Sequence, residues 1–447
     1  MYTQNQAQPS RHWPGRQRGA VAVLLTVAMV ALLAMAGLAL DGGHLLVNKT
    51  RLQNAVDAAA LSGAKTLSQT RGATGADTLA RTAALNTLRL NAEANGNGEL
   101  ARAVTTGGGA GNFARVEFSR SVYGPFSTAM PSDARYVKVS VPEYGLAGFF
   151  WRFLQSLGGD LGDKQVAAVA VAGPSPTAPC DISPLMVCGD PNQYDPAAGV
   201  FWGYRFGDLE VLKSAAGNTP AIGPGNFQLI RLGSNSGAAD IRDALCRGIR
   251  QCQSVGSTVQ TEPGNSVGPV AQGLNTRFGV YNGPVSSSSC PPDLVTSFSS
   301  PRMTYNDSTS PPRVEYQGEV VSSNNGDLST PSRQLLDYND WRESLANCPQ
   351  GCEPNGVFER RVLKIVVGNC TGASGGMTTV PVLGFGCFFV LQTVSQQGTE
   401  AQIFGQFIEE CAGDGHPGAT PADDAGPQII QLYKTFTDGP GTPGADS

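Results

Sequence analysis

The stretch GAVAVLLTVAMVALLAMAGLAL (residues 19–40) contains no charged residue. As a helix rising about 1.5 Å per residue it spans roughly 33 Å, close to a bilayer hydrocarbon core of about 30 Å. Residues 1–18 hold Arg11, Arg16 and Arg18 and no acid, and Asp41 ends the apolar run. Basic flanks stay on the cytoplasmic side. The sequence therefore predicts a cytoplasmic basic segment (1–18), one membrane-spanning helix in contact with lipid (19–40), and an exported remainder. A cleaved signal peptide is the competing reading, with Ala34-Met35-Ala36 as its cleavage site. The apolar core of such a peptide is usually about 7–15 residues, so the length favours an uncleaved anchor. A second uncharged region, 365–399, is interrupted by many Gly, Ser, Thr and Gln residues. Its most apolar part reads as a buried strand, so the chain is expected to cross the membrane once.

The rest of the composition narrows the class. Charged residues are 15% of 447, well under the usual quarter, while Gly (56) and Pro (30) are abundant. A coiled coil would be richer in charge. With 31 Lys+Arg against 36 Asp+Glu, the net charge of −5 speaks against nucleic-acid binding. An apolar fraction of 40% excludes a wholly disordered chain. What remains is an α+β chain with a loop-rich, β-rich exported part.

The cysteines support export. There are ten: Cys180, Cys188, Cys246, Cys252, Cys290, Cys348, Cys352, Cys370, Cys387 and Cys411. An even number confined to the exported side is what an oxidising compartment produces, and up to five disulfides are expected. Sequence does not determine their connectivity. Short loops suggest Cys180–Cys188, Cys246–Cys252 and Cys348–Cys352. The spacing of Cys348 and Cys352 would also suit zinc, but no second close pair or nearby histidine completes a site. The histidines are His12, His44 and His416. No metal or cofactor is expected.

Beyond Asp41, Leu45, Leu52, Val56, Ala59, Gly63 and Leu67 fall on one helix face. Ala55, Ala59 and Gly63 add a small residue every fourth position, a candidate face for a partner helix. Two arrangements fit: a rod projecting from the membrane, with a kink at Gly42-Gly43, or an amphipathic helix packed on its own domain. The second is preferred. A further helix is expected at 76–91, turns at 96–99 and 105–112, and strands at 113–123, 136–141 and 165–172. The apolar segment 146–157 reads as a short core helix, with a position on the membrane surface as the alternative. Residues 41–172 thus form a helix-then-sheet unit, and the Pro-rich 173–179 a linker or sharp boundary. The Cys-bearing domain follows at 180–411. It has strands expected at 200–206, 227–232, 361–367, 380–390 and 401–408, helices at 238–247 and 332–347, and a surface loop at 284–312. The Gly/Pro-rich tail, 412–447, is expected to be disordered, with 428–436 its one candidate for order.

Arg18-Gly19-Ala20-Val21-Ala22, the apolar run, Asp41 and RLQNAVDAAALSGA (51–64) together resemble one family. It is the N-terminal TadE/TadG-like module of the TadG-like proteins of bacterial Tad/Flp pilus-assembly systems. Segments 224–233, 261–281 and 381–392 resemble the exported part of the same group. The resemblance implies an inner-membrane protein with a periplasmic domain, acting in assembly or anchoring of an adhesive pilus, with other pilus-assembly proteins as partners. Longer relatives carry a metal-dependent adhesion motif, Asp-x-Ser-x-Ser. Here Asp327-Leu328-Ser329-Thr330-Pro331 breaks at Pro331 and Asp181-Ile182-Ser183-Pro184-Leu185 at Leu185, so that site is not expected.

Catalytic patterns are sparse. Neither HExxH nor GxxxxGK[ST] occurs. GxSxG occurs around Ser266 and Ser374, but a nucleophile elbow needs a strand before the serine and a helix after it, and neither context is evident. Glu409-Glu410 are neighbours that a strand would point to opposite faces. Gly107-Gly108-Gly109 reads as a turn, and Asp57 as a solvated charge or a polar contact to a partner helix. The expectation is a non-enzymatic, membrane-anchored pilus-assembly component with no nucleic acid or small-molecule ligand. The rival is a secreted or anchored periplasmic binding protein or enzyme.

Overall fold

The structure, a computed structural model, describes residues 18–151, 155, 162–195, 198–214, 226–233, 237–249, 251–262, 266–345, 348, 352–373, 377–395, 401–413, 416–417 and 426–435. Its first element, α1 (Arg18–Thr70), is a single helix of 53 residues. The two halves meet different surroundings. Residues 21–40 are exposed except Gly37, whereas Leu52, Ala55, Val56, Ala59, Ala60, Ala64 and Leu67 are at most 1% exposed. The lower half is the membrane-spanning segment. The helix runs through Gly42 and Gly43 without interruption. The turns on either side are clamped to the domain, by Asp41 below and by Lys49 above, whose Nζ donates to the Ala167 carbonyl at 2.7 Å.

α2 (Ala76–Ala92) folds back along α1 and buries Ala76, Ala80, Ala84, Leu88 and Ala92, one residue per turn. Small residues let the two backbones approach closely. A Cβ added at Gly63 would lie 3.1 Å from the Ala84 Cβ. Where turns were expected, the chain forms α3 (Gly98–Thr106) and the single turn α4 (Ala110–Phe113). Gly108 and Gly109 sit between them with positive φ, so the glycines punctuate the helices.

The helices cover one face of a sheet. β1 (Arg115–Ser119), β2 (Tyr136–Gly145) and β3 (Gln165–Ala178) pair antiparallel in turn. Val137, Val139 and Val141 of β2 and Val166, Ala168, Ala170 and Ala172 of β3 meet α1 at the two-residue period of a half-buried sheet. β3 does not stop at Ala172. The residues read as a linker continue it to Ala178, and its partner there comes from the tail: β21 (Gly426–Tyr433) pairs antiparallel from Gln428↔Pro176 to Tyr433↔Val171. Pro174 and Pro176 fit because residues 173–176 of β3 are paired on one side only. β19 (Glu410–Ala412) adds parallel to β21, and β20 (His416–Pro417) pairs with the end of β3.

The disulfide-bearing extramembrane domain is therefore inserted between two strands of the membrane-proximal sheet. Its strands are β4 (Leu185–Cys188), β7 (Leu209–Ser214), β8 (Asn226–Arg231), β9 (Thr258–Thr261), β16 (Val362–Gly368), β17 (Thr379–Val390) and β18 (Gln402–Ile408). They run in the order β16-β4-β8-β7-β18-β17, and β16 pairs back to β17, which closes a ring of six; β9 bridges β17 and β8. Closure removes unpaired edges. Leu185, Val187, Leu363, Ile365, Val367, Phe388 and Phe407 form the largest core of this domain, with the helices Ala238–Arg247 and Val267–Asn275 packed on it.

Several local expectations change. Residues 200–206 form a tight hairpin, β5 (Val200–Phe201) and β6 (Tyr204–Arg205). Two small meanders follow, β10 (Thr304–Asn306), β11 (Arg313–Tyr316) and β12 (Glu319–Val320), then β13 (Ser322–Asn324), β14 (Asp327–Thr330) and β15 (Arg333–Gln334). β15 delays the helix expected from 332, which runs over Tyr338–Leu345. The loop 284–312 is not confined to the surface: Cys290 and Asp293 are fully buried. The Asp293 carboxylate accepts from Trp341 Nε1 (2.8 Å) and from the backbone N–H groups of Val295 and Arg361. An unpaired carboxylate could not be buried at that depth.

All ten cysteines are bonded, as Cys180–Cys252, Cys188–Cys370, Cys246–Cys290, Cys348–Cys352 and Cys387–Cys411. The short-loop pairings Cys180–Cys188 and Cys246–Cys252 are thus replaced by longer ones. The β-bridge Asp181↔Gln251 brings Cys180 beside Cys252, and Cys188 ends β4 where it meets β16. Cys387–Cys411 ties β17 of the ring to β19 of the proximal sheet. Nearby, Arg71 pairs with Glu410, and Arg135 pairs with both Glu410 and Glu409, the latter at 2.7 Å. The two glutamates were expected on opposite faces. Glu409 lies outside the strands flanking it, and both acids reach the same arginine.

Cys387 and Cys411 are separated by 24 residues. Replacing both by Ala should lower stability by about 3.5 kcal/mol in the loop-entropy treatment, read as a drop in melting temperature of the full chain in nanodiscs. An unchanged melting temperature would contradict it. Separately, burial pushes the Glu359 carboxyl up to about 7, and burial together with Asp208 does the same for Glu210. Both lie above the unfolded value of about 4.3. The folded state thus holds extra protons between these values, and stability falls as pH rises through 7. Melting temperatures should be higher at pH 5.5 than at pH 8, and Glu210→Gln with Glu359→Gln should flatten that slope.

Candidate membrane-exit site and helix face

Where α1 leaves the apolar run, Asp41 is only 3% exposed. Its Oδ1 accepts the Phe149 N–H at 2.9 Å, and its Oδ2 accepts those of Phe150 and Trp151 at 2.8 Å. Lys164, just before β3, brings Nζ to 3.0 Å from Oδ1. The same ammonium donates to the Ala147 carbonyl and to His44 Nδ1. With Nδ1 accepting, the proton of the neutral ring sits on Nε2 and goes to Glu99 Oε2 at 2.7 Å. Glu99 Oε1 then accepts the Ala147 N–H at 3.0 Å. One closed set of hydrogen bonds therefore ties α1, the first turn of α3, the loop before Trp151 and the start of β3. A buried carboxylate needs such partners. The sequence marked Asp41 as the end of the apolar run and as part of the family resemblance, without showing its partners.

The loop held by Asp41 is not a core helix. Residues 146–150 are non-helical, and Phe149 is 64% exposed. Phe150 lies over α1, where a Cβ at Gly37 would come within 2.5 Å of its Cγ. Trp151 and Gln155 of the expected helix are helical, and its residues 152–154 and 156–157 lie outside the described residues. Beside the loop opens a cleft of about 820 Å³ whose lining includes Tyr144, Trp151, Asp163 and Lys164. Burial pushes the Tyr144 phenol up to about 12, and its Oη has no hydrogen-bond partner among the described residues.

The candidate partner face is filled from within the chain. Ala55 and Ala59 are buried, and Gly63 meets Ala84 of α2 and Val137 of β2. Asp57 makes its contact on α1 itself, accepting from Gln53 Nε2 at 2.8 Å, and Gln53 also reaches the Val169 carbonyl. The side of α1 left open above the membrane carries Leu46, Val47, Thr50 and Asn54.

The serine patterns are partly corrected. Ser266 does follow a strand, β9, and precedes the helix Val267–Asn275. Among the described residues, His44 is engaged at the membrane exit and His416 pairs through its backbone with Ala178 of β3. His12 and Ser374 lie outside the described residues. Cys348 and Cys352 bond to each other, and among the described residues no three His, Cys, Asp or Glu side chains gather as a metal site.

Removing one partner of a buried ion pair costs about 3–5 kcal/mol, because the other charge is stranded. Lys164→Met should therefore lower the melting temperature of the full chain in nanodiscs by several degrees. Adding Asp41→Asn to that variant should cost less than the two single changes summed. Additive losses would show that the two groups do not act together.

The comparisons bear on this helix. Residues 19–66 match the Tad family, "Putative Flp pilus-assembly TadE/G-like". No curated protein and no solved structure matches the chain. The matched residues lie entirely on α1 and include the lipid-facing half, Asp41 and the packed half. Proteins of this family are structural assembly components, not catalysts. Through residues 19–66 the chain is a membrane-anchored protein related to the TadE/TadG-like pilus-assembly family.

Proposed function

We propose that this chain is a non-enzymatic structural component of a Tad/Flp-type pilus-assembly apparatus. It sits in the bacterial inner membrane, with residues 1–18 in the cytoplasm and the bulk in the periplasm, and it binds other pilus-assembly proteins. The observation that carries the reading is the family match on α1, the element that both enters the bilayer and forms the core of the proximal domain. The side assignment is supported by Arg11, Arg16 and Arg18 before the span and by five disulfides after it. With Ala55, Ala59 and Gly63 engaged internally, partners would approach the open side of α1.

The test places a photoreactive amino acid at Asn54, which is exposed. In cells with an intact pilus system it should crosslink to another pilus-assembly protein. Normal pilus formation in cells lacking the chain, or no such adduct, would contradict the proposal. Alkaline phosphatase fused after Ser447 should be active, and fused before Met1 inactive. The reverse pattern would overturn the orientation.

A further inference from the structure

Two phenylalanines on the loop before Trp151 are left uncovered by the protein, Phe149 at 64% and Phe150 at 36% exposure. Their backbone is not free to fold them inward, because the N–H groups of Phe149, Phe150 and Trp151 are all held by the Asp41 carboxylate. From there Phe150 reaches Gly37. Gly37 lies four residues, about 6 Å, back along α1 toward the membrane. The ring thus sits beside a part of the helix that already belongs to the apolar run.

Polar groups lie beside the same rings. The edge of His44 meets the Phe149 ring at 5.4 Å between centroids, and Lys164 Nζ lies 5.9 Å from that ring while bonded to Asp41. Trp151 Nε1 donates to the Gly162 carbonyl at 2.8 Å. Aromatic rings with their polar partners on the water side are characteristic of the membrane–water interface. We propose that the loop 147–151 inserts into the lipid leaflet on the exported side, as a second membrane contact beside α1. The occupant is lipid because this surface is continuous, through Phe150 on Gly37, with the run that faces acyl chains. A single helix can turn about its own axis in a bilayer. A second contact off that axis fixes the tilt and rotation of the proximal domain, and hence the direction in which the ring of strands is presented.

The inference rests on residues 19–40 spanning the bilayer, and the test separates the two. A photoreactive benzophenone amino acid is placed singly at Val30, Phe149 and Val255 of the full chain in phosphatidylethanolamine/phosphatidylglycerol nanodiscs. Adducts are then weighed by mass spectrometry. Val255, 65% exposed in the exported domain, is the background position. Phe149 should give lipid adducts on the order of tenfold above Val255 and comparable with Val30, as an interfacial aromatic would. Lipid adducts at Val30 with none above background at Phe149 would overturn the loop insertion and leave the span intact. Their absence at both positions would overturn both. Adducts at Phe149 to protein instead of lipid would assign the loop to a protein interface and overturn the proposal.

Discussion

α1 passes through two solvents without a break, and the rest of the molecule is arranged around that constraint. In its lower half, residues 21–40 leave their side chains to lipid, with Gly37 alone covered. In its upper half the same helix is the spine of an alanine-rich core, from Leu52 to Leu67, packed on α2 and β3. Between them lies the most difficult position, a carboxylate at the exit from the membrane. Asp41 is tolerated there because three backbone N–H groups and the Lys164 ammonium satisfy it. Those partners come from the loop and strand that must be fixed against the helix. Solvating the charge and docking the domain are accomplished by the same contacts.

The ring of strands depends on this base in a second way. It leaves the proximal sheet from β3 and returns to it at β19, and β21 then lies along β3. The chain crosses between the two parts twice, the Cys387–Cys411 bond joins them, and Arg71 and Arg135 hold Glu409 and Glu410 where the chain re-enters the proximal sheet. A domain attached by one linker could swing, whereas one inserted into a sheet is held at both ends. β3, from which the ring departs and along which β21 returns, packs directly on α1.

Much of this was legible because local signals agreed with the fold. The uncharged run of 19–40, the helical spacing of Leu52, Val56, Ala59, Gly63 and Leu67, and the alternation in 136–141 each reflect a single element meeting a single environment. Features decided by distant residues were not legible. Pro174 and Pro176 argued for a linker, but a one-sided pairing with a strand some 250 residues later absorbs them. Loop length suggested Cys180–Cys188, yet the pairing is set by which strand ends meet. Asp293 lay in a Ser/Pro-rich stretch that reads as surface, and only the fold brings Trp341 and Arg361 to it. At the membrane exit, Asp41, His44, Glu99 and Lys164 are scattered through the first 164 residues with no motif to link them.

The continuity of α1 across the exit is the claim on which the account rests, and amide hydrogen exchange of the full chain in lipid nanodiscs tests it directly. Residues 38–48, including Gly42 and Gly43, should exchange as slowly as the buried turns from Leu52 to Leu67. Fast exchange confined to 41–44 would mean that the membrane segment and the domain are separate bodies joined by a hinge, and would contradict the account.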